Sequence, residues 1–143
     1  MNKRARIIAV ANQKGGVAKT TTTINLGASL ALANHRVLLV DLDPQGNLTS
    51  GVGQKTQRGS AGTAYEALTT DDVEAQDFVI RTGVDHLSLI PADRDLTGAE
   101  IELVSFPARE RRLAVLLDAL RRDYDYIFID SPPSLGLLTL NAL

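Results

Sequence analysis

Gln13-Lys14-Gly15-Gly16-Val17-Ala18-Lys19-Thr20-Thr21 is the segment on which every other reading of this chain depends. An apolar run, Ile7-Ile8-Ala9-Val10-Ala11, precedes it, and a helix-like run from Thr22 to Ala33 follows. A buried strand, a glycine-containing turn and a helix N-terminus, in that order, make a phosphate-binding device. Backbone N–H groups converge on the anion, and the helix dipole adds about half a positive charge there. Lys19 has the reach for outer phosphates, and the Thr20 hydroxyl is placed to ligate Mg²⁺. The general pattern G-x-x-x-x-G-K-[ST] is not met, because Gln13 and Ala18 stand where it has glycines. A lysine followed by Gly15-Gly16 and then Lys19-Thr20 stands instead.

Outward from this segment, two further apolar runs end in acid. Arg36-Val37-Leu38-Leu39-Val40 reads as a buried strand and leads into Asp41-Leu42-Asp43-Pro44-Gln45-Gly46-Asn47. Tyr126-Ile127-Phe128-Ile129-Asp130 reads as another, followed by Ser131-Pro132-Pro133-Ser134. Carboxylates at strand ends occur as plain solvated tips. Two of them beside a phosphate-loop strand instead suggest metal and water chemistry at the carboxyl end of a doubly wound sheet, where ligands bind.

Jointly, these residues resemble the ParA/MinD group of ATPases with its deviant phosphate loop. Ala11-Asn12-Gln13, Thr20-Thr21-Thr22, Asn25-Leu26-Gly27, Asp43-Pro44-Gln45-Gly46-Asn47 and Ser131-Pro132-Pro133-Ser134-Leu135 are similar to its ParA/Soj partitioning branch. Ala18 departs from the family, which has glycine there. The resemblance implies an α/β fold: a doubly wound, mainly parallel sheet with helices on both faces, as in phosphate-loop NTPases. Its strands would run 87–90, 36–40, 126–130, 6–11 across the sheet. It further implies ATP and Mg²⁺ as cofactors, with Lys14, Gly15, Gly16, Val17, Ala18, Lys19, Thr20 and Thr21 holding the nucleotide. Thr20 would ligate the metal, Asp130 would hold it through water, and Asp41 would sit near its shell. Asp43 would orient the hydrolytic water. Lys14 would cross a dimer interface to the partner subunit's nucleotide, so Lys14, Lys19 and Asp43 are the catalytic candidates. The segments from Gln45 to about Gly53 and Ser131-Pro132-Pro133 would register the γ-phosphate.

What the family does is then the expectation for this chain: an ATP-dependent homodimer that hydrolyses ATP and takes part in chromosome or plasmid segregation. A centromere-binding partner would stimulate hydrolysis. The family's remaining strands, its adenine contacts and its nonspecific DNA-binding surface belong to a C-terminal part beyond Leu143. Residues 1–143 therefore read as a single phosphate-loop ATPase domain, C-terminally incomplete. Two alternatives stay open: a truncated nucleotide-binding module without ATPase or DNA-binding activity of its own, and a MinD-like positioning ATPase. Without the missing part, Ile7 to Ala11 would be an exposed apolar sheet edge.

Composition sets the outer bounds. The chain has 143 residues, 44% hydrophobic and 22% charged, which suits one soluble globular domain with a real core. Aromatics are only 4%, so the core is expected to be aliphatic. The absence of cysteine excludes a disulfide framework and the cysteine-held cluster of the nitrogenase iron-protein relatives. A formal charge of −2 gives no global pull towards nucleic acid. Neither a signal peptide nor a membrane span is expected, which points to the cytoplasm, with nucleoid association for the full-length family.

The remaining segments read as scaffold. Leu48 to Ser60 is Gly-, Ser- and Gln-rich and is expected to be a mobile surface loop, and Thr63 to Leu68 a short helix. Leu87-Ser88-Leu89-Ile90 reads as a strand stopped by Pro91, and Gly98 to Val104 as a short helix. Ala108 to Arg122 carries Leu113, Leu116, Leu117 and Leu120 at helical spacing. Its arginines, and the acidic patch Asp71-Asp72-Val73-Glu74, are expected to be solvated faces rather than binding surfaces.

Overall fold

The computed structural model describes residues 5–11, 17–98 and 110–131. Its strands are β1 (Arg6–Ala11), β2 (Val37–Asp41), β3 (Ile80–Arg81), β4 (Leu87–Ile90) and β5 (Tyr126–Ser131). The helices are α1 (Val17–Leu32), α2 (Asn47–Gly51), α3 (Ala64–Thr69) and α4 (Glu110–Leu120), with a 3-10 turn at Ala75–Phe78. The strands form one sheet in the order β1-β5-β2-β4-β3, parallel except for β3. This is the expected order of the four long strands, with the two-residue β3 added antiparallel beyond β4.

Alternation along the strands explains why helices lie on both faces. Successive residues of a strand point to opposite sides. Val37 and Leu39 of β2 pack with Leu87, Leu89 and Phe128 against Ala31 of α1 and Leu48 of α2. Leu38 and Val40 pack with Ile90, Ile127 and Ile129 against Leu68 of α3, Phe78, and Leu113, Leu117 and Leu120 of α4. Every residue of β2 is buried, so the strand has no solvent face and no need of polar residues. Each large aliphatic side chain removed from water contributes about 2 kcal/mol.

α1 approaches the sheet closely because Gly27 has no side chain. A Cβ there would stand 3.1 Å from Leu39 Cδ2. The helix ends as the sequence suggests, at Asn34, whose φ of 70° is left-handed. Asn34 N donates to Ala31 O at 3.0 Å and His35 N to Leu30 O at 3.0 Å, which together close the last turn as a Schellman motif. Thr63 and Glu66 form a capping box at the start of α3, with Thr63 N donating to Glu66 Oε2 at 3.0 Å.

Polar contacts fix both ends of the β2–β5 pair. At one end Arg36 N donates to Asp125 Oδ2 at 2.8 Å and Asp125 N to Arg36 O at 2.7 Å. At the other, Leu42 N donates to Asp130 O at 2.8 Å.

Two expectations are corrected. The segment after Asn47 is not a surface loop from its first residue: α2 occupies Asn47–Gly51, with Leu48 and Thr49 buried. Leu48 is the cause, since it inserts into the cluster beneath α1 and carries its neighbour inward. Arg112 is not part of a solvated face. Its Nε donates to Leu68 O at 2.9 Å, at the C-terminal end of α3, and its Nη1 pairs with Asp71 Oδ1 at 2.5 Å. The predicted helix over 98–104 falls largely outside the described residues, as do Pro132, Pro133 and the apolar segment 135–143.

Candidate functional site

The site lies where β1, β5 and β2 end. In register, Val10 stands beside Asp130, and Asp130 beside Asp41. The two carboxylates are therefore neighbours on adjacent strands at the carboxyl edge of the parallel sheet. Both are buried, at 0% exposure for Asp41 and 1% for Asp130.

α1 delivers two side chains to Asp130. Lys19 Nζ pairs with Asp130 Oδ1 at 2.5 Å and donates to Val10 O at 3.4 Å. The Thr20 hydroxyl donates to Asp130 Oδ2 at 2.9 Å. Lys19 and Thr20 are consecutive in the first turn and a half of α1, so one helix N-terminus presents an ammonium, a hydroxyl and its dipole together. Thr23, one turn on, folds its hydroxyl back to Lys19 O at 3.0 Å. Thr21 is on the exposed side of the helix.

Asp41 faces a different set of partners. Its Oδ2 accepts from Thr49 N at 2.9 Å and from the Thr49 hydroxyl at 2.6 Å, and its Oδ1 accepts from Asp43 N at 3.1 Å. Burial pushes Asp41 up to about 7, against the hydrogen bonds from Thr49 and Asp43, and the charge of Asp130 adds to the rise. Asp43 is half-buried, and its own Oδ1 accepts from Gln45 N at 2.9 Å. Gly46, at φ 65°, then turns the chain into α2.

Of the residues named from the sequence, Lys19, Thr20, Asp41, Asp43 and Asp130 are brought to one edge of the sheet. Val17 and Ala18 open α1. Lys14, Gly15 and Gly16 lie outside the described residues. Thr49 is the residue that the sequence reading missed. It lies in a stretch whose Gly, Ser and Gln content suggested a loop, and only the apolar Leu48 beside it hinted at burial.

The donor set suits a hard divalent cation. Thr20 and Asp130 offer oxygen ligands 2.9 Å apart at a helix N-terminus. Among the described residues there is no group of three or more His, Cys, Asp or Glu side chains that could hold a metal. Few protein oxygens, completed by water and substrate phosphate, is how Mg²⁺ is commonly held, so these residues fit Mg²⁺ with a nucleotide. Among the same residues no helix is long and apolar enough to cross a membrane.

Residues 5–143 match the family model described as an AAA domain. The chain is 59% identical over 138 residues to the chromosome partitioning protein ParA of Myxococcus xanthus, covering 96% of this chain and 48% of that protein. This chain belongs to the ParA/Soj family of partitioning ATPases. It is also 54% identical over 138 residues to the sporulation initiation inhibitor protein Soj of Bacillus subtilis, covering 96% of this chain and 54% of that protein. Among solved structures, cobyrinic acid a,c-diamide synthase from Mycobacterium smegmatis, with bound ATP analogue and magnesium, superposes with a TM-score of 0.84. The two are 48% identical, over 97% of this chain and 56% of the other. The chain thus spans about half the length of the ParA/Soj relatives it matches. It is a ParA-family ATPase domain with the phosphate-loop fold, partial relative to those proteins.

Proposed function

We propose that this chain forms the nucleotide-binding part of a partition ATPase that binds and hydrolyses Mg-ATP and dimerises on it. The observation that carries the reading is the meeting of Lys19 and Thr20 on Asp130 at the N-terminus of α1. Lys19 and the backbone of 14–21 would hold the phosphates, with the Thr20 hydroxyl on the metal and Asp130 behind it. Mg²⁺, when bound, neutralises charge on the β- and γ-phosphates. Asp43, held half-buried by its own turn, would orient the attacking water, acting by its position. Lys14 would supply the trans-acting cation of a closed dimer, as an arginine finger does. Segregation of DNA, a centromere-binding partner that stimulates hydrolysis, and nonspecific DNA binding through a C-terminal part complete the reading.

Thermal unfolding with and without Mg-ATP tests the core of it. Ligand that binds only the folded state adds about 2.7 kcal/mol at a hundredfold excess over its dissociation constant. An upward shift in Tm is expected for the native chain and not for Lys19→Ala; equal behaviour of the two would overturn the reading. For the dimer, Lys14→Ala is expected to keep ATP binding and lose ATP-dependent association in light scattering. Dimers that form unchanged in that variant count against the trans role.

A further inference from the structure

Asp43 and Asp41 do not stand alone at the sheet edge: both depend on one neutral residue, Thr49. The Thr49 hydroxyl, 3% exposed with its residue, donates to Asp41 Oδ2 at 2.6 Å and accepts from Ala92 N at 3.0 Å. Its backbone N–H donates to the same Oδ2 at 2.9 Å. Among the described residues, two of the three donors on Asp41 therefore come from Thr49, and they fix which way the carboxylate is turned. The third donor is Asp43 N, on Oδ1 at 3.1 Å. The order of dependence is then from Thr49 to Asp41 and from Asp41 to the backbone of Asp43.

We propose that Thr49 is a positioning residue for the ATPase reaction, holding Asp41 so that Asp41 in turn holds the backbone of Asp43. The inference rests on the functional reading above, since Asp43 matters here only as the group that orients water. Thr49 touches neither nucleotide nor metal in this scheme. It works through two intermediates, and it also ties the start of α2 to the segment leaving β4, because Ala92 follows that strand after Pro91. A hydroxyl is the side chain this place requires. It must donate to a carboxylate and accept from a backbone N–H at once, which valine, of nearly the same shape, cannot do.

The consequence is specific to turnover. Phosphate binding is assigned to residues 14–21, so loss of the Thr49 hydroxyl leaves affinity largely in place. Orientation of the water is what suffers, and displacement of a positioned group by about 1 Å costs up to about a hundredfold in rate. The test is ATPase kinetics of the full chain, wild type against Thr49→Val and Thr49→Ser. Thr49→Val is expected to lower kcat by about tenfold or more with KM within about twofold of wild type. Thr49→Ser, which retains the hydroxyl, is expected to rescue kcat. Turnover is referred to nucleotide-binding sites titrated in each preparation, so that a merely less stable variant shows fewer sites and unchanged kcat. Unchanged kcat per site in Thr49→Val overturns the inference, and so does a serine variant as slow as a valine one. Wild type that binds no Mg-ATP overturns the functional reading itself, which separates the two failures.

Discussion

At the scale of single residues, Asp41 shows how a site can cost its fold stability. Its ordinary value in an unfolded chain is 3.8, and in the native state it is raised to about 7 by burial. The native chain therefore holds a proton between these limits that the unfolded chain has released. Stability from this residue is fully present below about pH 4 and falls as pH rises towards 7. Asparagine cannot titrate, so Asp41→Asn is expected to flatten the dependence of metal-free stability on pH across that window. Urea unfolding of both proteins at about pH 5 and about pH 7.5 reads this directly; identical slopes would mean that Asp41 is charged throughout. The aspartates themselves were legible in the sequence, because a carboxylate closing an apolar run is conspicuous. Thr49 was not. A threonine announces nothing by itself, and what makes it matter is an acceptor eight residues back and a donor forty-three residues on, which no local pattern carries.

At the scale of elements, legibility follows periodicity. β2, β4 and β5 are continuous apolar runs bounded by polar residues, and each forms within a residue of its expected limits. The end of α1 was legible because asparagine tolerates the left-handed conformation found at residue 34. Asn34→Ala is accordingly expected to cost about 1 kcal/mol, measured as a lower urea midpoint. β3, with two residues, has no period to read, and α2 has five residues in a composition that favours turns. Such short elements form because the surrounding packing holds them, not because their sequences insist. The contact of α1 with β2 makes the opposite point about glycine. Gly27 could be taken for a weak spot in a helix, whereas it is where the helix meets Leu39. Gly27→Val is expected to destabilise by about 1–3 kcal/mol through overpacking. A variant as stable as wild type in urea would show that α1 can move away from the sheet freely.

At the scale of the molecule, the sheet is unequally covered. β2 is entirely buried, while Ile8 on β1 is 37% exposed and Leu32 at the end of α1 is 77% exposed. Among the described residues β1 pairs only with β5, so it forms one edge of the sheet. An apolar edge is a template for pairing with other chains, and a lysine on it is an effective block. Residues 1–143 on their own are expected to self-associate, and Ile8→Lys to reduce that association in size-exclusion chromatography with light scattering. Equal association of both would place the sticky surface elsewhere. Strand order was legible through the family resemblance. Individual exposures were not, because they depend on which elements happen to flank each strand.

The polar contacts at the two ends of the β2–β5 pair have a bearing on how the sheet assembles. Val37, Leu38, Leu39 and Val40 are apolar on both sides, so oil-like attraction alone would accept this strand shifted by a residue almost as readily as in place. What forbids the shift is the punctuation: Arg36 against Asp125 at one end, and Leu42 N on Asp130 O at the other. A slipped strand would drag a carboxylate into hydrocarbon and leave its partner unanswered. The aspartates that read as chemistry thus also serve as alignment marks, and a chain threaded one place out would be misassembled and inactive for the same reason.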